Sequence, residues 1–272
     1  MPFTTITGTF IPSAGRPDGD SIRFRPDNPD PIFRLRRRGR GPKINRQNQT
    51  IQLRFEGIDT MESSAAEPFS SDATASNLDL CGVPDGSDGR GYILSNQLGP
   101  NGRPISFVFQ GEPPDGQADG SDVFLDAEQM ESSVNFQQIR RGHAYPLFYD
   151  TLFADLRMAL TDAVLTARQA GLGIWASDGT NTGVRFAGRS SLGTMPPVFP
   201  KLWRRLDKYS RDQDIQEPDR LDEFLDFLVD GRDERVFVVS RALSTGFDNV
   251  LEVQGDKIKM TVQPEDLVVV SV

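Results

Sequence analysis

Within the nine residues Arg54-Phe55-Glu56-Gly57-Ile58-Asp59-Thr60-Met61-Glu62 stand a guanidinium and, past a glycine, two acids three positions apart. Arg54 lies on an apolar-alternating stretch, Ile51-Gln52-Leu53-Arg54-Phe55, whose strand must end at Gly57, so Asp59, Thr60 and Glu62 follow in the turn beyond it. Upstream, Asp18-Gly19-Asp20 has the form of a tight turn entering another strand and offers two more carboxylates. Carboxylate and carbonyl oxygens suit a hard divalent cation, calcium or magnesium. A planar guanidinium grips phosphate through paired donors, and a carboxylate can take a proton from water. These are the parts that phosphodiester hydrolysis needs: a Lewis acid, an aligned water and cations for the charge that grows in the transition state. Each group alone has a plainer reading as a turn, an exposed strand residue or a helix cap. Capping does not explain an arginine five residues before Asp59 together with a second one on a later Gly-Arg turn, which is either Arg103 or Arg90.

Composition narrows the field. One histidine, His143, cannot serve the histidine-pair or histidine-metal nucleases, and one cysteine, Cys81, excludes an intrachain disulfide and a thiolate zinc site. The 39 Asp+Glu against 30 Lys+Arg give a net charge of −9, so nucleic acid would have to be met by local basic clusters or by bound metal. Residues 34–46 are such a cluster, with seven basic side chains and no acid. Arg36, Arg37, Arg38 and Arg40 read as a phosphate-tracking arm.

Asp-Gly-Asp-Ser before one strand and Arg-x4-Asp-Thr-x-Glu after the next resemble the staphylococcal (thermonuclease-like) nuclease family. Three further segments, in order, are similar to it: Asn101-Gly102-Arg103 opening a strand, Ser133-Val134-Asn135 leading to Arg140-Arg141-Gly142-His143-Ala144, and Ala167 to Gly171-Leu172-Gly173-Ile174-Trp175. The resemblance covers about residues 5–178. It implies a metal (calcium, or magnesium)-dependent nuclease acting on DNA or RNA. Asp20, Asp59 and the Thr60 carbonyl would hold the ion, with Asp18 just outside. Glu62 would activate the attacking water, and Arg54 and Arg103 would stabilise the transition state. Met61 stands where the family usually has proline, and Pro100-Asn101 where its best-known member has a lysine-tyrosine pair. Of the aromatic residues able to stack on a base, Phe148 and Tyr149 are nearest. The alternative is a noncatalytic nucleic-acid or protein-binding module, which would be recognised by loss of these acids and arginines.

Positioning such groups requires a scaffold. Alternation predicts strands at 5–11, 21–24, 51–55, 91–96 and 104–109, helical spacing predicts helices over 69–81 and 151–170, and the resemblance implies a third helix in the segment that begins at Ser133. Five strands and about three helices describe an α+β fold with an OB-type β-barrel over residues 1–178. The polar loop 111–122 carries Asp115-x-Gln117-x-Asp119-Gly120, part of a calcium-loop pattern, but Pro113-Pro114 forbid an incoming helix and it reads as solvated. Residues 179–197 form a Gly/Ser/Pro-rich linker or surface arm. Residues 198–272 predict two helices and strands at 235–240, 247–253, 257–262 and 266–270, as a small α+β domain or docked extension able to meet a protein partner. No signal peptide or membrane span is visible, so a soluble, cytoplasmic chain is expected. Replacing Arg36, Arg37, Arg38 and Arg40 with glutamine is expected to raise KM for long polynucleotides and flatten its salt dependence at little change in kcat. An unchanged salt slope would return the arm to the status of a solvated loop.

Overall fold

The first strand, β1 (Phe3–Phe10), forms where the apolar alternation begins and lies in the middle of the main sheet. The computed structural model describes residues 2–37, 39–213, 218–231 and 234–270. After β1 come β2 (Arg23–Pro26), α1 (Asp30–Arg34), β3 (Arg36–Arg37), β4 (Ile51–Gln52), β5 (Arg54–Phe55) and β6 (Ile58–Asp59). Helix α2 (Phe69–Leu80) leads to the hairpin β7 (Gly89–Leu98) and β8 (Pro104–Gln110), then to β9 (Asp122–Val123), α3 (Ala127–Met130) and α4 (Val134–Arg140). β10 (Tyr145–Pro146), β11 (Phe148–Tyr149) and α5 (Ala154–Gln169) follow.

β1 pairs antiparallel with β2 on one side and with β7 on the other, and β7 pairs with β8, giving the order β4-β2-β1-β7-β8-β5. The ends of that order are neighbours in the chain. β4 pairs with β2 at Phe24↔Ile51, while β5 pairs with β8 at Arg54↔Ile105. Residues 51–55 thus cross from one edge to the other and nearly close the sheet into a barrel, which removes exposed edge groups. Ile6, Phe10, Phe24 and Phe55 fill its interior, while Phe107 is buried on the opposite face of the sheet beside Phe3. The architecture is mixed α+β, as expected. It is more finely divided than the sequence predicts. The main sheet has eight strand segments rather than five, and five helices rather than about three precede residue 178. The surplus comes from the division of the expected strand 51–55 into β4 and β5 and from pieces of two to five residues, β3, β9, α3 and α1, too short to carry a periodic signal.

Helix α5 buries Leu156, Leu160, Ala163, Val164 and Ala167, the predicted stripe, and packs on α4, α3 and β10. Beyond it come β12 (Val184–Arg185) and a segment in which Phe186, Leu192, Met195 and Val198 are buried. Then come α6 (Pro200–Asp212), α7 (Phe224–Asp230), β13 (Arg235–Val238), β14 (Leu243–Gly246), β15 (Leu251–Gln254), β16 (Lys257–Met260) and β17 (Leu267–Val269). The expected strand 247–253 begins instead with fully buried Phe247 and a 3-10 turn at Asp248–Val250 and is extended only from Leu251 in β15, while β14 lies ahead of it in residues not expected to be a strand. The expected strand 235–240 stops at Val238, where Asp266 accepts hydrogen bonds from the Ser240 backbone and hydroxyl.

These last elements share structure with the first part. β17 pairs parallel with β11 at Phe148↔Val268, and it pairs antiparallel with β13. Arg168 of α5 meets Glu265 through two bonds, 2.5 and 2.7 Å, and its guanidinium stacks 4.4 Å from the Trp175 ring. The C-terminal residues, expected as a small α+β domain or a docked extension, thus share a sheet with β11. Among the described residues no helix is long and apolar enough to cross a membrane. Glu265→Ala leaves Arg168 without its carboxylate and is expected to cost about 2–3 kcal/mol, read as a lower urea midpoint in a single transition. Two separated transitions would show instead that the C-terminal elements unfold by themselves.

Candidate active site

Asp20, Arg54, Asp59, Thr60, Glu62, Arg103 and Tyr149, all singled out in the sequence, line one cleft of about 470 Å³. Asp18 lines it too, and so do Lys201, Arg204, Arg205 and Glu234 from the C-terminal extension. Arg36, Arg37 and Arg40 are exposed and do not line it, and Arg38 lies outside the described residues. The arm is nevertheless tied to the turn that carries Arg103. Arg40 N donates to Pro100 O and Lys43 N to Gly102 O, while Gly102 packs so closely that a Cβ there would stand 2.1 Å from Gly41 O.

The motif segments meet because short, specific contacts hold them. Phe55 N donates to Asp20 O at 3.0 Å, fixing the strand of Arg54 beside the acidic turn. Within that turn Asp18 Oδ1 accepts from Asp20 N, and a Cβ on Gly19 would come within 2.7 Å of both the Thr60 side chain and Ala73 Cβ. Only glycine lets the two loops approach so closely. Asn77 of α2 donates to Asp18 O, and Gln138 of α4 donates to Gly19 O and Ala73 O. Asn135, fully buried, accepts from Val108 N and donates to Glu56 O and Ser106 O, so it stitches β5 to β8. The Val-Asn segment is therefore scaffold, not chemistry. β6 carries Asp59 and pairs with β10 at Tyr145↔Asp59. Met61, where the family usually has proline, is buried in the core, and Ala65 N donates to Glu62 O at 2.9 Å.

Electrostatics show which charges the cleft favours. Asp20 is held well above the ordinary carboxylate range, first by burial, then by Asp18 and Asp59 facing it, with Arg54 only partly offsetting them. Burial opposes the charge on Arg54, but Tyr149, Asp59 and Asp20 outweigh it and hold the guanidinium pKa up. Arg54 Nη2 donates to the Tyr149 hydroxyl at 3.2 Å and sits 5.3 Å from its ring centre, so Tyr149 positions this arginine.

Two groups escaped the sequence reading. Glu56 is buried on the same face of the strand as Arg54, and burial pushes its pKa to about 7 against the pull of Arg54 and the Gly57 amide. The alternation that placed Arg54 also placed Glu56. The second is Arg204. Its Nη1 and Nη2 donate to the two Asp59 oxygens at 3.0 and 2.6 Å, and Nη1 also donates to Glu62 Oε1 at 2.8 Å. Burial disfavours the Arg204 charge, but Asp59 and Glu62 hold its pKa far up. A signal existed in the cationic face Lys201-Arg204-Arg205, opposite the apolar Leu202-Trp203-Leu206 face. Lys201 and Arg205 both meet Glu234 at 2.5 Å.

Arg90, the rival of Arg103, is committed elsewhere: it bridges Asp27 and Glu112, each at 2.6 Å, and donates to Gly8 O. His143 is half-buried, and burial lowers its pKa, while the buried Cys81 thiol is pushed up; neither lines the cleft. Asp119 of the polar loop accepts from Thr7 N, and among the described residues no three His, Cys, Asp or Glu side chains are grouped to hold a metal. A site made of Asp20, Asp59 and the Thr60 carbonyl has only two such side chains. Its donor set is hard oxygen, the crowding at Asp20 calls for a cation, and the Arg204 guanidinium stands in for one on Asp59. In kind, these residues fit a divalent ion.

Set against protein-family models and against curated proteins, the chain has no match in either. The cleft's own geometry therefore carries the functional conclusion. Arg103→Lys, which keeps charge but loses the fork, is expected to lower kcat/KM for phosphodiester cleavage by about 10²-fold, and Arg90→Lys by less than about threefold. Equal damage from both would remove Arg103 from the clamp.

Proposed function

We propose that the chain is a divalent-metal-dependent nuclease hydrolysing phosphodiester bonds of DNA or RNA, on a barrel of the five-stranded OB type. The observation that supports this is convergence: two arginines, 54 and 103, and the acids Asp20, Asp59 and Glu62, drawn from distant parts of the sequence, line the same cleft. Asp20, Asp59 and the Thr60 carbonyl would hold calcium or magnesium, which when bound polarises the phosphoryl oxygen and lowers the cost of the developing charge. Glu62 accepts a proton from the water whose oxygen attacks phosphorus. The bond from phosphorus to the leaving sugar oxygen breaks as the new one forms, and that oxygen takes its proton from solvent. Arg54, oriented by Tyr149, and Arg103 donate to the non-bridging oxygens, where negative charge grows. The basic arm beside the Arg103 turn would extend the contact along a polynucleotide.

One observation favours a second reading, a noncatalytic nucleic-acid or protein-binding module. Arg204 engages both oxygens of Asp59 and one of Glu62, the groups that hydrolysis needs free. Incubation with single- and double-stranded DNA and RNA, with and without calcium, separates the two. The nuclease reading expects calcium-dependent cleavage, with Glu62→Gln slower by about 10²–10⁴-fold because it keeps size and loses basicity. Absence of cleavage of every substrate by the unaltered chain, or full activity in Glu62→Gln, would reject it.

A further inference from the structure

Arg204 lies outside every motif segment, yet it contacts two acids of the motif directly, Asp59 and Glu62. Its guanidinium lies across both Asp59 oxygens at 3.0 and 2.6 Å and reaches Glu62 Oε1 at 2.8 Å. We propose that Arg204 is an internal counter-cation that holds Asp59 and Glu62 in the absence of a divalent ion and must leave them for one to bind, so that helix α6 sets the metal affinity of the cleft. This rests on the reading of Asp59 as a metal ligand.

Exchange follows from charge and space. A hard divalent ion approaches carboxylate oxygens to about 2.0–2.6 Å, where it would face a guanidinium on the same two oxygens at close range and repel it. Asp59 in turn cannot remain alone. It is 4% exposed, and a buried carboxylate without a partner is costly, so release of Arg204 and arrival of an ion belong to one event.

The helix is not what moves. Leu202, Trp203, Leu206 and Tyr209 are buried on its inner face, and Trp203 Nε1 donates to Leu192 O at 3.1 Å. The Arg204 side chain itself is 38% exposed, so rotation about its own bonds carries the guanidinium toward solvent. Its neighbours do not share the role, since Lys201 and Arg205 are held by Glu234.

Calcium titration calorimetry on the full chain, with thermal melts in parallel, tests this. Arg204→Gln is expected to bind calcium about 10-fold more tightly than the parent, and Arg204→Lys, which keeps the charge but loses the fork, to fall between them. Arg205→Gln removes the same charge one position away and is expected to change calcium affinity by less than about twofold. Without calcium, Arg204→Gln is expected to melt roughly 5 °C lower than the parent, and calcium is expected to restore it. Unchanged or weaker calcium binding in both Arg204 variants, equal tightening in Arg205→Gln, or no calcium binding to any of the proteins would overturn the proposal. Tighter binding by Arg204→Gln with no cleavage by any variant would uphold the exchange and reject the nuclease. Cleavage by the parent with no gain in calcium affinity would do the reverse.

Discussion

Closure of the barrel through residues 51–55 is the constraint on which the site depends. This segment is shared between two edges, pairing with β2 through Ile51 and Gln52 and with β8 through Arg54 and Phe55. The backbone must change partners at Leu53, whose amide still donates to Ile22 O on the β2 side. Arg54 therefore stands at the seam, next to Asp20 from one edge and on the strand that leads into Asp59. Loops that only drape over a barrel would not hold these groups in register. Here the register of two strand pairings does so, and Asn135 and Gln138 of α4 secure the neighbouring loops by hydrogen bonds to their carbonyls.

Charge is the second constraint. The cleft brings together Asp18, Asp20, Asp59, Glu62 and Glu234 with Arg54, Arg103, Lys201, Arg204 and Arg205, so acids and bases balance at five each. The balance is local rather than uniform. Glu234 has two cations to itself, and Asp59 and Glu62 share Arg204, while Asp20 is left facing two other carboxylates. In a low-dielectric setting such an uncompensated acid either takes up a proton or attracts a cation. The C-terminal extension thus enters the site electrostatically as well as sterically: its docking supplies the cation that makes a buried Asp59 tolerable. The docking has its own means of support. These are the β11–β17 pairing, the Arg168–Glu265 fork and the edge-to-face packing of Tyr145 with Phe199.

Much of this is legible in the chain before it folds, and the dividing line is the range over which each signal acts. Turns, strand alternation and helical stripes depend on neighbours a few residues away, so Gly57 ends its strand, α2 and α5 form where periodicity places them, and Arg54, Asp59 and Glu62 follow one another at the strand end. The types and spacing of these residues define their chemical potential. What the sequence could not decide was partnership. Arg103 and Arg90 both follow a glycine in the sequence, and only the β7–β8 pairing, together with the acids at Asp27 and Glu112, sends one to the cleft and locks the other, inside β7, away. Arg204 is 142 residues from Glu62 in the chain, and no local pattern links them. An ion pair between distant side chains exists only once packing has brought both helix and turn to the same place.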